Sequence, residues 1–295
     1  MPESAQRGIR LQKYLADKGL GSRRKIETWI TEGRIRIDGR AAQLGDRVTE
    51  QSRISVNGRP LQRRVDARQT RVIMYNKPEG EICSRDDPGD RPTVFRRLPK
   101  LKGSRWVVVG RLDLNTRGLL LFTNNGDLAN QLMHPEFGLE REYLCRVFGN
   151  VDDAAIRQLT EGIVLDGETA KFLSVKRQRG EGRNTWYNVV VAEGRYREVR
   201  RMWESVGCRV SRLVRVRYGS VVLPKTLRQG EIMELKPTAV SKLSGDDQTA
   251  EQRSVAEPRS DRRKPGISAP GRSKRPESKN SGRRPGKKVT RRTKR

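Results

Sequence analysis

Val109-Gly110-Arg111-Leu112-Asp113-Leu114-Asn115-Thr116-Arg117-Gly118-Leu119-Leu120-Leu121-Phe122 is a charged turn held between two apolar runs, and its reading decides the fold. The upstream run Trp106-Val107-Val108-Val109 and the downstream run Leu119 to Phe122 both read as buried strands, with Gly110 and Gly118 as punctuation. Asp113 is therefore presented from a loop on two rigid supports. Arg111 and Arg117 flank it, and neighbouring cations favour the ionised form of a carboxylate, which suits a nucleophile. A surface turn whose aspartate caps a chain reversal fits the same spacing.

Working outward, 295 residues allow one large domain and a small one. A formal net charge of +29 points to a polyanionic partner, with nucleic acid first. No apolar run is long enough to span a bilayer, and Met1-Pro2-Glu3-Ser4 lacks the apolar core of a signal peptide. The expected location is the cytoplasm, with no membrane partner. Cys83, Cys145 and Cys208 are odd in number and widely spaced, so they offer neither a disulfide framework nor a Cys-x-x-Cys metal site. They read as buried, reduced thiols. His134 is the only histidine, which excludes multi-histidine metal chemistry, and it reads as structural. No metal site is expected.

Residues 9–66 read as a separate module after a flexible N-terminus at residues 1–8. Leu11 and Leu15 share one helical face, and Gly19-Leu20-Gly21 breaks that helix. Ser22 can cap a second helix, whose Ile26, Trp29 and Ile30 form an apolar stripe ending at Gly33. Arg34 to Ile37 alternates as a strand. Asp38-Gly39 and Asn57-Gly58 are hairpin turns. Arg23, Arg24 and Lys25 occupy the first turn of the second helix, where the macrodipole disfavours cations, but a bound phosphate would favour them. With Lys13 and Arg34 they form a candidate RNA-binding surface, the other reading being a solvated charged face. The arrangement resembles an S4 RNA-binding domain from about Ile9 to Leu61, through Leu11 to Leu15 and Ser22 to Arg24.

A polar linker, Gln62 to Gln69, leads into a domain at residues 67–243 that opens with the strand Val72-Ile73-Met74-Tyr75, stopped at Asn76-Lys77-Pro78. Beyond the Asp113 loop, Asp127 is expected to cap a helix carrying Leu128 and Leu132. Arg141 to Phe148 reads as a strand with Tyr143, Cys145 and Val147 on one face. Asp152 to Gly162 reads as a helix. Lys171 to Val175, Trp186 to Ala192, Leu213 to Leu223 and Glu231 to Leu235 read as strands. In the helix after Gly194, Val199, Met202, Trp203 and Val206 mark the buried face; Arg200 lies at its rim and Arg201 points outward.

Gly110 to Asp113 followed by Thr116 to Leu121 resembles the catalytic motif of the RsuA-type pseudouridine synthases. The resemblance implies that Asp113 is the catalytic nucleophile, that Tyr143 stacks on the flipped uracil and can serve in removing the C5 proton, and that Arg200 pairs with Asp113, with Arg201 in reserve. Arg141 stands where the family often has lysine. The family further implies a uridine in 23S ribosomal RNA as substrate, no cofactor and ribosomal RNA as partner; a monomer is expected. Arg111 and Arg117 join the RNA-contact candidates.

From Ser241 the composition changes. Residues 251–295 hold 17 Lys/Arg against four Asp/Glu and no aromatic residue, so residues 244–295 read as a disordered basic tail. The whole is expected to be an α+β protein: a small helix-helix-hairpin domain, a mixed-sheet catalytic domain and the tail. A noncatalytic RNA-binding or ribosome-assembly factor would share the charge and the small module. The coincidence of Asp113, Tyr143 and Arg200 in three separate motifs favours the enzyme.

Overall fold

A computed structural model describes residues 8–49, 51–61, 69–85, 87, 89–181 and 183–244. Residues 62–68 of the expected linker, the first seven residues, and the basic tail from residue 245 lie outside the described residues.

In the small N-terminal region, β1 (Ile9–Arg10) leads into α1 (Leu11–Asp17) and then α2 (Arg23–Thr31). The Ser22 hydroxyl accepts from the Lys25 N–H at 3.1 Å, so the expected cap is in place. There follow β2 (Ile35–Ile37), β3 (Arg40–Ala41), β4 (Arg47–Val48), β5 (Ile54–Val56) and β6 (Arg59–Pro60). The sheet order is β3-β2-β5-β6, while β4 pairs with β1. Both two-residue turns carry positive φ at Asp38, Gly39, Asn57 and Gly58, as their residue types require. Leu11, Leu15, Ile26, Ile30, Ile35 and Ile37 fill the core. Trp29 lies at its edge, with the Arg34 guanidinium 4.9 Å from its ring centroid.

The larger region runs β7 (Val72–Lys77), β8 (Val107–Val109), β9 (Arg117–Thr123), α3 (Gly126–Met133), β10 (Arg141–Phe148), α4 (Asp153–Glu161), β11 (Ile163–Leu165) and β12 (Glu168–Ala170). It continues with β13 (Ser174–Glu181), β14 (Asn184–Val191), α5 (Glu198–Ser205), β15 (Arg209–Tyr218), β16 (Val221–Val222), β17 (Ile232–Glu234) and α6 (Pro237–Ser244). The central sheet is nine-stranded, in the order β13-β14-β10-β15-β9-β7-β17, with β8 on β9 and β16 on β15. The architecture is α+β with a mixed sheet, because β15 and β9 pair in parallel while the neighbouring pairs are antiparallel. One core lies against α4 and α5, where Phe122, Cys145, Tyr187, Val199, Met202 and Trp203 meet. A second lies under α3 and α6 around Leu119, Leu121, Leu128 and Tyr218.

Three expected elements shift. Asn125, not Asp127, caps α3: its side-chain oxygen accepts from the N–H groups of Asp127 and Leu128 at 3.0 and 3.2 Å. Asp127 is the second residue of the first turn, where its charge also suits the helix N-terminus. The strand expected at Lys171 to Val175 begins only at Ser174, because Phe172 turns into the core 5.8 Å from the Trp203 ring while its N–H bonds Leu159 O. The run Leu213 to Leu223 is broken at Gly219 into β15 and β16, whose residues Arg217 and Val222 then pair antiparallel.

Candidate active site

Residues 110–116 join β8 to β9, and their backbone is gripped from outside at five consecutive carbonyls. Cys83 Sγ donates to Leu112 O at 3.4 Å, and the Gly80 N–H donates to Leu114 O at 3.0 Å. Lys77 Nζ donates to Asp113 O at 3.1 Å and Thr116 O at 2.9 Å, and also to Pro78 O. Arg200 Nη2 donates to Asn115 O at 2.8 Å. Among the described residues the Asp113 carboxylate itself makes no hydrogen bond or ion pair; it faces a cleft of about 1390 Å³. Backbone held and side chain free is the arrangement of a pre-positioned reactive group.

Lys77 is fully buried, and burial pulls its pKa below the ordinary lysine value, opposed by Cys83, Glu81 and Asp113. Carbonyl oxygens take the place of its lost water. Cys83 is half-buried and its thiol is likewise raised by burial; Cys145 is pushed up to about 12 for the same reason. Cys145 and Cys208 are buried and all three are free thiols, so only Cys83 departs from the expected burial.

Tyr143, on β10, lines the cleft and is 8% exposed, beside Arg141, Leu213 and Arg215. Arg111 lines it too and is exposed; Arg117 opens β9 opposite Val214 and does not line it. Arg200 corrects the expected pairing. Its guanidinium is spent on Asn115 O and on Val210 O, both at 2.8 Å, leaving Nε without a partner and no direct ion pair with Asp113. Burial lowers its pKa, Arg197 adds to that, and the Asp113 carboxylate opposes it. The physical reason is the helix rim position: it reaches the loop at Asn115, two residues past the carboxylate. Arg201 points outward, as expected, onto Asp166 at 2.7 Å.

Arg23, Arg24 and Lys25 are exposed, and none is in an ion pair among the described residues. Lys13 does not join them, because its ammonium lies 2.6 Å from Asp127 at the start of α3. Arg34 is held by Asn57 and Glu32. His134 accepts from the Glu136 N–H at 3.4 Å and caps the short turn Pro135–Phe137, a structural role.

Lys77 and Arg215 were not anticipated. In the sequence Lys77 belonged to the Asn76-Lys77-Pro78 stop after a strand, but β7 runs through to Lys77; its signal was a lysine shortly after a buried apolar run. Arg215 is 2% exposed on β15, donates Nε to Leu119 O at 2.8 Å, and stacks 5.0 Å from the Tyr218 ring, as does Arg141. Its Nη2 has no partner among the described residues. An arginine between Val214 and Val216 was the available sign.

The family described as RNA pseudouridylate synthase matches residues 71–205, and the S4 domain family matches residues 9–54. The chain is 55% identical over 239 residues to "Ribosomal large subunit pseudouridine synthase B" of Yersinia pestis, covering 80% of this chain and 75% of that protein. Against the protein of the same name from Escherichia coli (strain K12) it is 53% identical over 252 residues, covering 80% and 87%. A solved structure described as "Crystal structure of pseudouridylate synthase" superposes with a TM-score of 0.56 at 28% identity over 80% of this chain and 99% of that one. No helix among the described residues is long and apolar enough to cross a membrane. With its Asp113 loop carried on a mixed sheet behind an S4 domain, the chain belongs to the RNA pseudouridylate synthase family of isomerases.

Proposed function

We propose that the chain converts a uridine of large-subunit, 23S ribosomal RNA to pseudouridine, with Asp113 as the nucleophile or base. Residues 9–66 bind structured RNA, residues 67–243 carry the chemistry, and residues 244–295 form a basic tail; the enzyme acts in the cytoplasm. A uridine inside an RNA helix is out of reach, so the target flips into the cleft and stacks on Tyr143. The C1′–N1 bond breaks, either by attack of Asp113 on C1′ or by its removal of the 2′ proton. Uracil rotates and C5 bonds to C1′, either displacing the Asp113 carboxylate from C1′ or, where the 2′ proton was removed, with Asp113 returning that proton to C2′. C5 then loses its proton, Tyr143 serving in that step, and N1 gains one. Arg200 acts as a positioning residue through Asn115 O.

The observation that carries this reading is the loop whose five carbonyls are held while the Asp113 carboxylate is left free toward the cleft. The test is Asp113→Asn, which keeps size and removes the anion. Pseudouridine formation on ribosomal RNA fragments should fall by more than about 10³-fold while RNA affinity holds. Wild-type product from that variant would return the chain to the noncatalytic RNA-binding class.

A further inference from the structure

The central sheet has a face that neither core uses. Along β10, Tyr143, Cys145 and Val147 are buried, whereas Glu142, Leu144 and Arg146 are half-buried and Phe148 is exposed. Along β14, Trp186 and Asn188 alternate in the same way with Tyr187 and Val189. α4 and α5 pack on the Tyr143 side, and α3 and α6 pack near β7 to β9. Among the described residues no helix covers the other side of β13, β14, β10 and the first half of β15.

Strand register sets this side in rows. Trp186, Arg146 and Arg212 lie opposite one another across three strands. The next row holds Asn184, Phe148 and Arg209; the row on the other side holds Lys176, Asn188, Leu144 and Val214. Rows are about 7 Å apart and strands about 4.8 Å apart. Arg146 and Arg212 are in no ion pair among the described residues, and the Arg209 guanidinium lies 5.9 Å from the Phe148 ring. Glu142, on the same strand as Arg146, is already held by Arg217 at 2.7 Å and Asn188 at 2.6 Å, which keeps its pKa below the ordinary glutamate value.

We propose that this face is a second RNA-binding surface, taking unpaired nucleotides that lie near the modified uridine. Bases stack on Trp186 and Phe148 while Arg146, Arg209 and Arg212 hold phosphates. Antiparallel sheets often leave one face to water, but such a face needs no tryptophan beside free guanidinium groups. Guanidinium groups outside any ion pair among the described residues call for an anionic partner, and RNA brings phosphates where a protein would have to bring carboxylates. Aromatic platforms interleaved with cations are what single strands bind. The inference rests on the proposed RNA substrate.

The test uses the full chain, large-subunit ribosomal RNA fragments, and the double variant Arg146→Gln/Arg212→Gln, whose Tm should stay within about 2 °C of wild type because neither side chain is in an ion pair among the described residues. KM should rise roughly tenfold with kcat unchanged, and the slope of log affinity against log salt should flatten by about 1.4 for two single-strand phosphate contacts. Independently of any variant, 4-thiouridine RNA should crosslink to the wild-type peptide carrying Trp186. An active wild type with unchanged variant KM and slope, or no crosslink at that peptide, overturns the inference and leaves the proposed function standing. A defect seen only on large-subunit particles and not on naked RNA also overturns it, by assigning the face to a protein. Absence of pseudouridine in the wild-type reaction would sink the proposed function and this inference with it.

Discussion

Lys77 shows how a residue distant in sequence from the reactive carboxylate can decide where it sits. Its ammonium spans Asp113 O and Thr116 O, so the two ends of the turn are fixed by one side chain that has no exposed surface. Asp113 itself was legible, because its apolar flanks and two glycines are local features; its support was not, because Lys77 is 36 residues upstream in sequence. The same holds for Glu198 at the opposite wall of the cleft. It is 5% exposed, and burial raises its pKa, with Glu193 adding to the rise and the Arg195 N–H and guanidinium opposing it. Folding therefore favours the protonated acid between the ordinary glutamate value and the raised one. Its contribution to stability is full below the ordinary value and is lost as pH rises through the raised value. Glu198→Gln should flatten that part of the pH–stability curve and raise Tm at pH 7 by roughly 1–3 °C. A thermal melt series from pH 4 to 8 checks it; an unchanged pH slope would show that the carboxyl stays ionised in the fold.

At the scale of elements, the junction of β9 and β15 is where the sheet changes from antiparallel to parallel and where the Asp113 loop meets Arg215. Gly118 makes that junction possible. Its φ is +103°, and a Cβ there would lie 2.3 Å from Arg215 O and 2.8 Å from Arg215 N, both backbone atoms that cannot move aside. Gly118→Ala should cost at least ~3 kcal/mol and displace Arg215, giving a large fall in Tm and in turnover together. Chemical denaturation with a parallel activity assay would measure both; a variant of wild-type stability would mean the two strands can separate without loss. The sequence marked Gly118 as punctuation, but its partner lies about a hundred residues away. Strands with clean period-two patterns, Arg141–Phe148 and Asn184–Val191, were legible within a residue or two. Elements placed by long-range packing, such as the turn at Phe172, were not. The helix cap slipped to Asn125 because Asn and Asp are equally good caps two residues apart.

For the whole molecule, charge is the property that composition states and folding leaves in place. Residues 1–250 keep a net +16 with the last 45 residues set aside, and Arg23, Arg24 and Lys25 present part of it outside any ion pair among the described residues. Two of the expected contributors are consumed internally, Lys13 by Asp127 and Arg34 by Glu32 and Asn57, so counting cations overstates the surface that RNA meets. Residues 251–295 add 17 Lys/Arg with no aromatic residue to lend to a core. Deleting them should leave Tm within about 2 °C, since little apolar area is lost. RNA binding should weaken most at low salt, because each phosphate contact removed subtracts roughly 0.7–0.9 from the slope of log affinity against log salt. Turnover at saturating RNA should be retained, since the Asp113 loop and its supports lie within residues 77–200. Affinity titrations of the full and truncated chains at 50 and 200 mM salt make the comparison. Parallel lines of equal slope would place the tail off the RNA, and a fall of many degrees in Tm would give those residues a part in the folded structure.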